Sequence, residues 1–292
     1  MAISAYFALA DLSLPTYFAR STLQVVLIED PLDSRLTDYR SVSDPDLAHR
    51  HGIFVAEGRL VVRRLLGDRR FATRSVLVTE AARAALADAL AARPDVPVYV
   101  VPRDVMTGVT GFNIHRGCLA TAERPRPVPW ADLVSSARMV IVLERVANAD
   151  NVGGVFRNAA AFGADAVLLD PDSTDPLYRK AIRTSMGAAL LVPFARAEPW
   201  PALLRTLATR GFATLALTPA SSAPPLAAAI ADAAVGSRPL ALVLGHEGEG
   251  LTAGAIDACT HRARIPIASG VDSLNVAASA AVALYELSRR IV

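Results

Sequence analysis

The sequence predicts an α/β protein in two units, a small α/β sandwich followed by a larger, mainly parallel sheet covered on both faces. Three observations carry this. Through the second half, apolar strand-like runs alternate with helical stretches of about ten to fifteen residues, the spacing of parallel crossovers. The 292 residues suffice for two domains with cores of their own. Between them lies ERPRPVPW (123–130), whose prolines keep the chain extended and semi-rigid, as in a linker. The expected divisions are an N-terminal extension (1–30), the small unit (31–122), a linker (123–135) and the larger unit (136–292).

Taken in order, LQVVLIED is a short strand followed by a polar arm. Ile53 to Ala56 is an apolar run. EGRLVVRRLLG follows, with Leu60, Val61, Leu65 and Leu66 at helical spacing and Gly67 as a stop. Ser75 to Thr79 reads as a strand, Glu80 to Ala92 as an Ala-rich helix and Val96 to Val101 as a strand. Asp104 to Gly108 is a short helix, and Gly117 to Ala122 a closing strand. In the second half the strands are Met139 to Glu144, Ala166 to Asp170, Leu190 to Phe194, Ala213 to Thr218, Leu240 to Leu244 and Arg264 to Ile267. The helices between them are a run from Asn151 to Gly163, Asp175 to Arg183, Pro199 to Arg210, APPLAAAIADAA and Thr252 to Cys259. A long Ala/Val/Leu helix entered through Ser273-Leu274-Asn275 closes the chain, and polar oxygens there are natural N-caps.

Composition narrows the function classes. With 52% apolar and 20% charged residues the chain is globular, not disordered. A net charge of +2 excludes a uniformly basic coat for nucleic acid but allows a local patch. Residues 33–130 carry 15 Arg against 11 Asp and Glu, whereas residues 131–292 are balanced at 14 of each sign. Among the basic residues only Lys180 is a lysine, which fits either codon bias or a use of guanidinium for phosphate. Cys118 and Cys259 stand far apart without CxxC or His spacing, so neither a disulfide framework nor a zinc site is expected; a reducing compartment is. No apolar run reaches the roughly 18 residues of a membrane span. The first twenty residues lack a basic n-region, contain Asp11 and break at Pro15, a poor signal peptide. A cytoplasmic protein is expected.

Two stretches of the small unit could face RNA. Arg59, Arg63 and Arg64, followed by Arg69 and Arg70, are either a solvated helix face or a phosphate-binding patch. GFNIHRGCLA (111–120) displays Asn113, His115 and Arg116 between glycines, where they could meet an unstacked base. In the larger unit, three loops follow apolar strands: NVGGVFR, GHEGEG and SGVDSLN. Ligands of parallel sheets gather beyond C-terminal strand ends, so all three could share one rim. GHEGEG lacks both the GK[ST] ending of a P-loop and the GxGxxG ordering of a dinucleotide site, but it sets Glu247 among glycines. Asn151 is a candidate cap, and Arg157 on the following turns could meet a phosphate or a carboxylate such as Glu247.

Together these segments resemble the SpoU/TrmH branch of the SPOUT superfamily of RNA methyltransferases. The likeness lies in Asn151-x-Gly153-x-x-x-Arg157, Ser185-x-Gly187-Ala188, LVLGHEGEGL (242–251) and IPIASGVDSLNVAASAAVALYE (265–286). FVAEGRLVVRRLL and PVYVV resemble, more loosely, the small substrate-binding domain that often precedes this catalytic domain. His246 departs from the pattern, which more often has Asn.

The resemblance implies a deep trefoil knot and a homodimer whose site draws on both chains. It implies S-adenosylmethionine as cofactor, held around Thr218, Leu244, Gly245, Glu247, Gly248, Ile265, Ile267, Ser273, Leu274 and Ala277. The implied reaction is methyl transfer to a ribose 2′-hydroxyl of RNA, with ribosomal RNA favoured over transfer RNA because a small recognition domain suits structured loops. Arg157 is central. The family mechanism casts it as a base, but a guanidinium with a pKa above about 12 suits phosphate binding and alkoxide stabilisation better. Glu247 would orient Arg157 or the cofactor loop, Asn151 would support Arg157 or the RNA, and Ser273 and Asn275 would shape the pocket. No metal is required. The alternatives are a transfer-RNA methyltransferase, a catalytically silent RNA-binding knotted dimer, and a nucleotide-binding α/β enzyme of another class.

Overall fold

Met139-Val-Ile-Val-Leu143 and Leu240-Ala-Leu-Val-Leu244 are apolar and buried at every position, the signature of strands covered on both faces. In the computed structural model they pair with each other in parallel. The structure describes residues 23–40, 43–111, 114, 117–232, 235 and 238–289. Around this pair stands a six-stranded, all-parallel sheet. Its strands are β6 (Met139–Leu143), β7 (Ala166–Leu169), β8 (Phe194–Arg196), β9 (Ala213–Leu217), β10 (Leu240–Leu244) and β11 (His261–Ala263). The spatial order is β11-β9-β10-β6-β7-β8. Helix Ala149–Phe162 lies against the closing helix Val276–Ser288 over one face, where Phe156 and Leu284 are fully buried. Helices Ala202–Thr209 and Ala253–Ala258 bury Leu203, Leu207 and Ala255 on the other.

A second, five-stranded sheet precedes it. It holds β1 (Val25–Leu27), β2 (Ile53–Glu57), β3 (Thr73–Val78), β4 (Val98–Val100) and β5 (Cys118–Glu123), in the order β1-β4-β3-β5-β2. β1, β4 and β3 run parallel, and β5 is antiparallel to both β3 and β2.

The structure corrects several boundaries. Residues 1–30 are not all extension, because Val25–Leu27 pairs with Val98–Val100 as an edge strand. The polar arm contains a helix, Asp44–His51, capped by Ser43 and ended by Gly52 at φ +63°. The expected helix 80–92 breaks at Leu86, which is fully buried; the freed Ala85 carbonyl accepts from Arg63 Nη2 at 3.0 Å. The strand expected at 190–194 begins instead at Phe194. Gly187 at φ +82° leads into a 3-10 turn at Ala188–Leu190, and Pro193 cannot donate to a ladder. Helix 175–183 starts only at Arg179, after Pro176. The final strand is His261–Ala263, three residues upstream of the expected Arg264 to Ile267; Pro266 keeps that later stretch off the ladder.

The linker is anchored. Arg124 pairs with Asp175, and Trp130 Nε1 donates to the Glu198 carbonyl at 3.1 Å. Further bonds join the sheets: Arg64 Nη1 to the Met186 carbonyl and Arg70 Nη2 to that of Leu190, each at 2.8 Å, and Arg183 to Glu57 at 3.5 Å. No described helix is long and apolar enough to cross a membrane.

Candidate active site

The C-terminal ends of β9 and β10 splay to leave a cavity of about 320 Å³. Its walls are Leu217–Ala220 after β9, Leu244–Leu251 after β10, and parts of the segment from Ile265 to Ser279. A pocket of this size, with apolar walls and a few converging polar groups, suits a small organic ligand. Thr218, Leu244, Gly245, Glu247, Gly248, Ile265, Ile267, Ser273 and Leu274 all line it. Ala277 does not; it stands in the first turn of the closing helix, where its carbonyl accepts from Asn158 Nδ2 at 2.7 Å.

Three polar side chains meet at the rim. Asn151 Nδ2 donates to Glu247 Oε1 at 2.8 Å, and Asn275 Nδ2 donates to Asn151 Oδ1 at 2.8 Å. The Asn148 amide adds a bond to Glu247 Oε1 at 3.3 Å. Asn275 serves twice, because its Oδ1 caps the closing helix by accepting from the amides of Ala277 and Ala278 at 2.9 and 3.3 Å. The cap of the facing helix is Asn148, not Asn151 as expected: the helix starts at Ala149 and places Asn151, buried, in its first turn. The two helices approach closely enough that a Cβ on Gly154 would lie 2.6 Å from that of Ala277; on another side, one on Gly153 would lie 2.6 Å from the Ala181 carbonyl oxygen of helix Arg179–Thr184.

Arg157 stands two turns into this helix, exposed, with no hydrogen bond or ion pair to any described residue. It therefore does not pair with Glu247 in the single chain. Asp150, on the same outward face, bonds Lys180 and Thr184, and these bonds hold its carboxyl below the usual range.

The glycine loop folds on itself. Gly250 donates to the His246 carbonyl at 3.0 Å, and His246 Nδ1 accepts from the amides of Gly248 and Glu249 at 3.0 and 3.1 Å. That makes Nδ1 the unprotonated nitrogen and leaves the proton on Nε2. An Asn oxygen could fill the same acceptor role, which accounts for His at this place. Beneath the loop, two residues that the sequence reading passed over hold it. Glu144 bonds Thr252 and Trp200, while Arg145, at φ +56°, pairs with Glu249 and holds that carboxyl below its ordinary range. A carboxylate ending an otherwise apolar strand was the available signal.

The basic patch divides. Arg63 pairs with Asp88, and Arg64 and Arg70 reach backbone carbonyls of the larger unit, those of Met186 and Leu190. Arg59 and Arg69 remain exposed. Asn113, His115 and Arg116 lie outside the described residues.

Residues 138–285 match the model of the SpoU rRNA methylase family. An uncharacterized tRNA/rRNA methyltransferase of Mycobacterium bovis is 46% identical over 271 residues, covering 91% of this chain and 93% of its own. Among solved structures, an AdoMet-bound rRNA methyltransferase from Sinorhizobium meliloti superposes with a TM-score of 0.77 at 23% identity, covering 92% of this chain and 99% of its own. An RNA 2′-O ribose methyltransferase gives 0.71 at 25% identity, covering 91% and 99%. The fold is thus that of a known architecture, and the chain belongs to the SpoU rRNA methylase family of RNA methyltransferases.

Proposed function

We propose that the protein methylates a ribose 2′-hydroxyl of RNA, ribosomal RNA in preference to transfer RNA, using S-adenosylmethionine, as a cytoplasmic homodimer. One observation carries the reading. Asn151, Glu247 and Asn275, far apart in sequence, form one hydrogen-bonded chain at the mouth of a cavity that nine of the ten expected cofactor positions line.

The cavity fits the cofactor by its chemistry. Leu217, Leu244, Ile265 and Ile267 offer apolar walls to a flat base, and the glycine loop lets backbone approach closely. When bound, S-adenosylmethionine supplies a methyl group on a sulfonium. The chain's own task is to hold the ribose hydroxyl in line and to stabilise negative charge as its proton leaves. Arg157 has an unengaged guanidinium for this, able to grip the adjacent phosphate and lower the cost of the alkoxide. Glu247 and Asn275 fix Asn151, which stands in the first turn of the helix that carries Arg157. Ser273 lies on the cavity wall beside them.

A second copy of the chain suits the surface. Val282 and Tyr285 are exposed on the closing helix, with Phe162 packed edge-to-face on Tyr285 at 6.3 Å between centroids. This apolar face belongs to the same helix pair as Arg157, and a partner covering it would bring its own groups to the site. The passage of residues 264–275 from β11 to the closing helix, beside the loop at Pro224–Leu226, is where the family's trefoil knot would form. Arg59 and Arg69, with the stretch 111–116, are the proposed RNA contacts of the smaller unit, whereas Arg63, Arg64 and Arg70 are engaged within the chain.

The test combines calorimetric titration with S-adenosylmethionine, transfer of labelled methyl to ribosomal and transfer RNA, and mapping of 2′-O-methyl positions. Label on a base instead of a ribose would overturn the reaction. Cofactor and RNA binding without transfer would favour the silent dimer.

A further inference from the structure

Glu144 is 1% exposed just after β6, and no cation among the described residues is bonded to its carboxylate. Oε1 accepts from Trp200 Nε1 at 2.9 Å and from the Thr252 hydroxyl at 2.7 Å; Oε2 accepts from the Thr252 amide at 2.8 Å. A buried carboxylate with no cation bonded to it is a poor device for stability alone, since neutral packing of equal volume serves as well or better. What it does offer is several strong acceptor sites at one point, and charge-assisted bonds roughly twice as strong as neutral ones.

Those bonds land where the glycine loop ends. The strand itself ties the loop's other end, because the Glu144 amide donates to the Leu244 carbonyl at 2.9 Å. Thr252 also caps helix Ala253–Ala258 through the Ala255 amide. Between these anchors lie Gly245, Gly248 and Gly250, the last at φ +71°, so the loop has much conformational freedom to lose. Seven of its residues, from Gly245 to Leu251, line the cavity.

We infer that Glu144 is a positioning residue for the cofactor site, holding the 245–252 loop in its binding shape before any ligand arrives. The inference rests on the reading of the cavity as the S-adenosylmethionine site. A preorganised loop spares the ligand the ordering cost, so losing the anchor should weaken binding while leaving the chemistry of bound substrate intact.

The experiment is calorimetric titration of the full chain with S-adenosylmethionine, paired with methyl-transfer kinetics and thermal unfolding. Glu144→Gln sets an amide against the Thr252 amide, and the dissociation constant should rise about tenfold, with kcat at saturating cofactor within about twofold. Thr252→Val deletes the hydroxyl bond to Glu144 together with the Ala255 cap but keeps the Thr252 amide bond, and should weaken binding about threefold. Trp200→Phe leaves both Thr252 bonds in place and should change affinity less than about twofold. A Glu144→Gln protein that melts lower but binds the cofactor like the parent overturns the inference. So does a Trp200→Phe loss as large as that of Glu144→Gln. If the parent itself fails to bind, the assignment of the cavity falls, and the inference falls with it.

Discussion

The Gly154–Ala277 contact allows the site to be perturbed with little effect on the fold. A Cβ at Gly154 would lie 2.6 Å from the Ala277 methyl, whereas two such carbons rest at about 3.5–4.0 Å. The helices must then part by about 1 Å at that level. In stability the terms nearly cancel. Alanine in place of a mid-helix glycine contributes about 1 kcal/mol, and overpacking costs about 1–3 kcal/mol, a net loss of roughly 0–2 kcal/mol. The site responds more sharply. The Asn275–Asn151 bond at 2.8 Å and the Asn158–Ala277 bond at 2.7 Å cross the same interface, and 1 Å more takes both beyond useful range. Gly154→Ala should therefore lower methyl transfer about tenfold while Tm falls only a few degrees. Adding Ala277→Gly reopens the gap and should restore most of the activity. Gly153→Ala has no such rescue, because its new carbon meets the Ala181 carbonyl oxygen, which is backbone. Paired measurements of transfer rate and thermal unfolding on the two singles and the double decide the matter. Parental activity in Gly154→Ala, or a double mutant no better than the single, would refute the claim that this helix spacing sets the Asn151–Asn275 bond.

Other outcomes follow from the same geometry. Arg157→Ala should abolish transfer while S-adenosylmethionine affinity stays within about twofold, since the guanidinium does not line the cavity; loss of cofactor binding in calorimetry would place it elsewhere in the mechanism. Replacing Arg59 and Arg69 together should flatten the salt dependence of RNA binding by about one to two ions in a filter assay. Arg64→Ala should instead lower Tm and leave that slope unchanged, because its bond is to the Met186 carbonyl; a flattened slope would return Arg64 to the RNA surface. Burial pushes the thiols of Cys118 and Cys259 up to about 12, so a thiol reagent at pH 8 should label neither until the chain unfolds. The raised values stabilise the fold below the ordinary thiol value of 9.0, and that contribution is lost as pH rises from there towards about 12. Rapid labelling of native protein would contradict this.

The two-sheet organisation and the rim were legible because each had a local cause. Runs apolar at every position, such as Leu240–Leu244, can only be covered strands, and loops after them fall at one sheet edge. Ends of elements were less legible where distant groups decide them. Nothing near Leu86 announces the helix break, since Arg63 takes up the freed carbonyl from another helix. The same holds for Arg64 and Arg70, whose pattern reads as a patch but whose partners are carbonyls more than a hundred residues away. Asn148 competes with Asn151 as a cap on spacing alone, and only the folded helix chooses between them.

The bonds from Arg64, Arg70 and Arg124 into the larger unit mean that the smaller sheet is bolted on and not tethered. On the proposed reading, any RNA element it grips arrives at a set span from the catalytic guanidinium. Choice of nucleotide then becomes a measurement of length between two fixed points, with no need to read the base being modified.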